Sequence, residues 1–98
     1  MIELSFHRLA AGELRSAEAW YAARDTAVAA RFVHGVDDAV GRIVADPDSH
    51  PIDRKHFRWV RVRRFPYVLI FEHKEPGRML VVAVAHTSRR PGYWRRRK

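Results

Sequence analysis

Arg61, Arg63 and Arg64 crowd one break in the chain, and Arg89, Arg90, Arg95, Arg96 and Arg97 follow its last apolar run. A guanidinium group presents a planar fork of donors to phosphate or carboxylate oxygens, so the two clusters could surround an anion. His86, between them, could move a proton near neutral pH. Tyr93 and Trp94 could stack on a base or pack against the domain. Together these groups would make a metal-independent ribonuclease, in which a base assists attack by a 2′-hydroxyl and arginines stabilise the phosphorane charge. Each group also has a plainer reading: His86 as a hydrogen-bonded histidine at a strand end, and Trp94 as the anchor that pins the tail to a sheet. The chain carries no glycine-rich phosphate loop, nucleophile elbow or paired-carboxylate signature. It has no cysteine, and His50 and His56 stand alone in their loop, so no metal site and no cofactor are expected.

The net charge of +8 hides an asymmetry. Residues 1–53 hold 5 basic and 9 acidic side chains, whereas residues 54–98 hold 14 basic and 2 acidic ones. The basic half is a surface that attracts anions, with an acidic protein or a nucleic acid as the expected partner and simple solvation as the alternative. Arg61, Arg63, Arg89, Arg90, Trp94, Arg95, Arg96 and Arg97 are the expected partner-binding residues.

The elements that must position these groups follow from periodicity. Ile2, Leu4 and Phe6 alternate with polar residues, which predicts a strand over 2–7 with His7 exposed at its end. Ala10, Leu14, Ala17 and Tyr21 then recur at helical spacing, predicting a helix over 9–23 in which Trp20 and Tyr21 pack. Asp25-Thr26 supplies an N-cap, and Val28, Phe32, Val36, Ala39, Val40 and Ile43 predict a second helix over 27–45, ended by Asp46-Pro47. Gly35 and Gly41 inside that helix suggest close packing at both positions. Residues 46–56 read as a loop. Three strands follow: residues 57–63, residues 67–71 after the break at Pro66, and residues 79–85 after a hairpin turn at residues 74–77.

The expected fold is therefore α+β, a two-layer β-α-α-β-β-β unit with the N-terminal helical hairpin on one face of a small, mainly antiparallel sheet. Residues 1–98 read as one domain with a basic tail at about 93–98. The strands at 67–71 and 79–85 are apolar on both faces, and one helical hairpin covers only one. The second cover must be the C-terminal tail, a second copy of the chain in a homodimer, or another protein. No apolar run approaches the roughly 18 residues of a membrane span, and the N-terminus lacks a signal-peptide pattern, so a cytoplasmic protein is expected.

This element order, the Trp20-Tyr21 pair, Pro47 after the second helix, Arg64-Phe65-Pro66-Tyr67, Ala83-Val84-Ala85-His86 and Arg90-Pro91 resemble the RelE/ParE superfamily of toxins from bacterial type II toxin–antitoxin systems. The resemblance spans nearly the whole chain and leans toward the ParE, or plasmid stabilisation, branch. It implies a growth-inhibiting toxin neutralised by a cognate antitoxin whose acidic segment wraps helices and sheet. ParE-type relatives resemble inhibitors of DNA gyrase that act by binding. The RelE branch implies cleavage of mRNA on the ribosome, onto which Arg63 or Arg64, His86 and Tyr93 can be placed. The lysines of that branch are reduced here to Lys55, and no acidic base is well placed, which favours the binding branch; a further reading is a superfamily member that has lost toxicity and survives as a binding module.

Overall fold

The computed structural model describes residues 2–53 and 56–98. Lys55, which entered the comparison with the nuclease branch, lies outside the described residues.

The elements run β1 (Glu3–Phe6), α1 (Arg8–Ala22), α2 (Thr26–Ala45), β2 (Ile52–Asp53), β3 (Phe57–Val62), β4 (Tyr67–Glu75) and β5 (Arg78–His86). Helix α1 begins where His7 Nδ1 accepts the Leu9 N–H at 3.0 Å, satisfying one orphan donor of its first turn. His7 Nε2 also lies 2.7 Å from the Lys98 carbonyl oxygen, and the residue is buried, contrary to the exposed position its place on a polar face predicts. The physical reason is that the chain terminus returns over it. Asp25 Oδ1 caps α2 by accepting the Ala27 N–H at 2.9 Å. The expected loop at 46–56 holds a short 3-10 turn, Pro47–Ser49, and the two-residue β2, antiparallel to β3, with Ile52 opposite Arg58.

The sheet order is β1-β5-β4-β3-β2. β1 lies parallel to β5, with Phe6 opposite Val81, and the remaining pairs are antiparallel. Because β1 ends at Phe6, among the described residues no strand lies beside the outer edge of β5 from Val82 onward. Ile70 faces Ala83 while Phe71 faces Val81, so Val82 is the extra residue of a β-bulge. Pro66 ends the break between β3 and β4, where Arg64 adopts a positive φ of 71° and the Pro66 carbonyl accepts the Thr87 N–H at 2.9 Å. The turn at Arg64 and the end of β5 at His86 therefore share one end of the sheet, since Tyr67 pairs with His86.

The helical hairpin covers one face. Phe32, Val36, Ala39 and Ile43 of α2 and Ala10 and Ala17 of α1 pack on Val60, Val62, Leu69, Phe71, Val81 and Val84. Tyr21, Phe32, Phe65 and Tyr67 form an aromatic cluster at one end of this layer, with ring centroids 5.2 Å apart between Phe32 and each of the other three. Tyr21 thus packs as expected, but Trp20 is 53% exposed. Gly35 is a point of close approach, since a Cβ there would stand 3.0 Å from Val62 Cγ1. Gly41 is not, since nothing lies within 4 Å of such a Cβ, which corrects the expectation of tight packing at both.

The second face carries its own apolar cluster: Ile70, Val82, Ala83, Ala85 and Trp94, flanked by Phe57, Trp59, Val68, Leu80 and Tyr93. Of the three covers that the doubly apolar strands allow, the C-terminal tail is the one in place. Trp94 is only 4% exposed and sets its ring edge-on against Phe57, centroids 4.7 Å apart. Among the described residues no helix is long and apolar enough to cross a membrane.

Candidate functional site

The tail is fastened by one carboxylate. Glu13 sits on α1 between Ala10 and Ala17, three and four residues away, and so on the edge of the buried stripe. Its Oε1 accepts from Arg97 Nη1 at 2.9 Å and from the Val84 N–H at 2.9 Å. Its Oε2 accepts from Arg97 Nη2 and the Tyr93 hydroxyl, both at 2.7 Å. Arg97 Nη1 also donates to the Val82 carbonyl oxygen at 2.8 Å. These two side chains thereby satisfy backbone groups on the open edge of β5 that a strand would otherwise pair. Burial alone would raise the Glu13 carboxyl. The hydrogen bonds from Arg97, Tyr93 and Val84 and the Arg97 charge outweigh it and hold the group below its ordinary 4.5. Burial first, and then the bond and charge of Glu13, push the Tyr93 phenol up to about 12. A second ion pair, Arg95 Nη2 to Asp53 Oδ2 at 3.2 Å, ties the tail to β2.

Two recesses flank this fastening. A groove of about 880 Å³ runs between α1 and the end of β4 and β5, with Arg8, Arg15, Trp20, Tyr67, His86 and Arg89 along it and the Glu13–Arg97 pair in its wall. On the opposite face of the sheet a pocket of about 350 Å³ lies between Trp59, Val68, Ile70 and Ala85 below and the tail beside them.

The residues expected to do chemistry are mostly committed elsewhere. Tyr93 donates its hydroxyl to Glu13, and both Arg89 and Arg97 lie against its ring, 4.0 and 5.0 Å from the centroid. His86 Nδ1 accepts the Ser88 N–H at 3.0 Å and lies 2.8 Å from the Ser88 hydroxyl. That acceptor role assigns the proton of the neutral ring to Nε2, which leaves that nitrogen a donor rather than a base. Arg63 stands 3.6 Å from Asp38, and Arg64 is exposed in its turn. Neither lines the groove that holds His86.

Among the expected partner-binding residues, Trp94 is buried, Arg97 is bound to Glu13 and Arg95 to Asp53. Arg61, Arg89, Arg90 and Arg96 remain exposed or rim-forming. Sequence reasoning missed Glu13, whose signal was a carboxylate set at helical spacing within an alanine stripe. It also missed His7, whose capping position directly before a helix was legible.

No curated protein matches this chain. A solved structure of the chromosomal ParDE toxin–antitoxin system from P. aeruginosa shares the fold, with a TM-score of 0.75 over 88% of this chain and 96% of that one at 18% identity. The family model for the ParE toxin of the type II toxin–antitoxin system parDE matches residues 4–91, from β1 through the end of β5 to the turn that starts the tail. Helical hairpin, mixed sheet and matched span agree, and the chain belongs to the ParE toxin family.

Proposed function

We propose that this chain is the toxin of a type II pair and that it acts by binding its target, DNA gyrase, without a hydrolytic site of its own. The observation that carries this reading is the commitment of the groups a nuclease would need. Tyr93 is held by Glu13 as a phenol pushed up to about 12, and His86 spends Nδ1 on Ser88. A general base must have a free lone pair within reach of the proton it takes, and neither group offers one in this arrangement. The family membership supports the toxin role. Neutralisation falls to a cognate antitoxin whose acidic segment meets the basic half, with Arg61, Arg89, Arg90 and Arg96 as the free cations. Residues 1–98 work as one domain, in the cytoplasm, where an intracellular target is met.

The test is purified protein in a gyrase supercoiling and cleavage assay beside primer extension on translated mRNA. Gyrase inhibition with intact transcripts is expected. Transcripts cut at ribosomal A-site codons with gyrase unaffected would overturn the reading. One observation favours that second outcome: His86, Arg89, Arg15 and Arg8 share one groove, which is a fair cradle for a phosphate.

A further inference from the structure

The turn after β5 sets a serine against a histidine. Ser88 Oγ lies 2.8 Å from His86 Nδ1, and the Ser88 N–H donates to the same nitrogen at 3.0 Å. A backbone N–H can only donate, so Nδ1 carries its lone pair, and the hydroxyl beside it must donate as well. The serine proton therefore points at a base. The pair is also held in place. The Thr87 N–H donates to the Pro66 carbonyl oxygen at 2.9 Å and the Arg89 N–H to the His86 carbonyl oxygen at 2.9 Å, while the Tyr67 ring meets the imidazole edge-on, centroids 5.1 Å apart. Ser88 itself is exposed, so a small reagent reaches its oxygen. Ser49, equally exposed, offers a contrast within the chain. Its hydroxyl donates to the Asp46 carbonyl at 2.9 Å, an amide oxygen too weakly basic to take the proton. Arg89 and Arg90 follow Ser88 directly and are exposed, and Arg89 shares the α1 groove with His86, Arg8 and Arg15.

We propose that Ser88 is a phosphoryl-acceptor site, its hydroxyl activated by His86. Oγ attacks the phosphorus of an acyl phosphate, and Nδ1 takes the hydroxyl proton as the O–P bond forms. The bond from phosphorus to the acyl oxygen breaks, a carboxylate leaves, and Nδ1 passes its proton to water. Charge selects phosphoryl over acyl transfer at this position. Adjoining guanidinium groups stabilise the charge spread over phosphoryl oxygens and meet the phosphate that remains, whereas an ester carries no charge for them to meet. The product sets a charge of about −1.5 to −2 beside Arg89 and Arg90. Those are cations that the binding reading leaves for a partner, so the modified serine would weaken that contact. This consequence rests on the binding reading; the acceptor chemistry does not.

The probe is acetyl phosphate, incubated with the full chain, and the products are mapped by mass spectrometry of peptides at neutral pH, where phosphohistidine survives. Phosphoserine at Ser88 is expected to form about a hundredfold or more faster than at Ser49, the scale of general-base assistance. His86→Ala should remove that advantage and bring Ser88 down to the rate of Ser49. The comparison of the two serines within the unaltered chain decides the matter even if this variant fails to fold. Equal rates at Ser88 and Ser49, an acetyl in place of a phosphoryl group on Ser88, or a phosphoryl group resting on His86 each overturns the proposal. A negative result here leaves the gyrase reading standing, since that is decided by enzyme inhibition with the unmodified chain.

Discussion

Replacing Glu13 with glutamine should loosen the tail before it loosens the domain. In the folded chain this carboxylate accepts four hydrogen bonds between 2.7 and 2.9 Å, two of them from the fork of Arg97. The side chains of the pair are 12% and 18% exposed, so water screens them only in part. Breaking a fully buried pair by removing one partner costs about 3–5 kcal/mol, and an amide that keeps some acceptor capacity at a partly wetted site should cost about 2 kcal/mol. For a domain of this size that lowers the melting temperature by roughly 8–16 °C. Because the folded Glu13 lies below its ordinary 4.5, its contribution is fully present above that value and is lost as the pH falls through the lower, folded one. The deficit of Glu13→Gln should therefore be largest near neutrality and shrink in acid. Thermal melts across pH, with hydrogen exchange of residues 92–98, make the measurement. A variant whose melting curve parallels the wild type at every pH, or whose tail keeps its protection, would refute the latch. A double-mutant cycle with Arg97→Met should show coupling of about 1–2 kcal/mol, and strict additivity would equally count against it.

Three further outcomes follow from individual residues. Tyr93→Phe should cost about 1 kcal/mol near neutrality, and should flatten the alkaline loss of stability. The phenol is raised from 10.0 to about 12 in the fold, so its contribution is complete below the first value and is lost as pH rises through the second; an unchanged alkaline melt would contradict this. Gly41→Ala should stabilise by about 0.5–1 kcal/mol in urea denaturation, whereas Gly35→Ala, whose new Cβ meets Val62 at 3.0 Å, should lose that helix gain to overpacking and come out neutral or destabilised by about 1 kcal/mol. Arg64→Gly should raise stability by about 0.5–1 kcal/mol, since a side chain at a φ of 71° is strained, and a drop would mean that the arginine contributes contacts to the turn.

Local rules reach far along this chain. The 3.6-residue stripes of α1 and α2, the Asp25 cap and the break at Pro66 are all properties of neighbours in sequence, and each lies where periodicity places it. The doubly apolar β4 and β5 even announce that the sheet needs a second cover. What periodicity cannot choose is which cover, because that depends on Arg97 meeting a carboxylate 84 residues away. His7 was misplaced for the same reason: on its strand it reads as outward, and only the returning terminus buries it. The candidate site suffered most from this blindness. An arginine-rich tail looks free in sequence, but Arg95 and Arg97 are fastenings, and the expected partner-binding arginines that stay exposed include Arg61 on β3, Arg89 and Arg90 after β5, and Arg96.

The central claim is that the toxin acts by binding and that His86 and the arginine at the β3–β4 turn are not catalytic. Growth of cells induced for the double variant His86→Ala, Arg63→Ala, with gyrase supercoiling measured on the same purified protein, tests it most directly. Growth inhibition and gyrase inhibition within about threefold of wild type are expected, since neither change touches the Glu13 latch or the second-face pocket. A loss of about a hundredfold or more, the scale of removing a general acid–base or a charge-stabilising group, together with disappearance of cut transcripts, would contradict it.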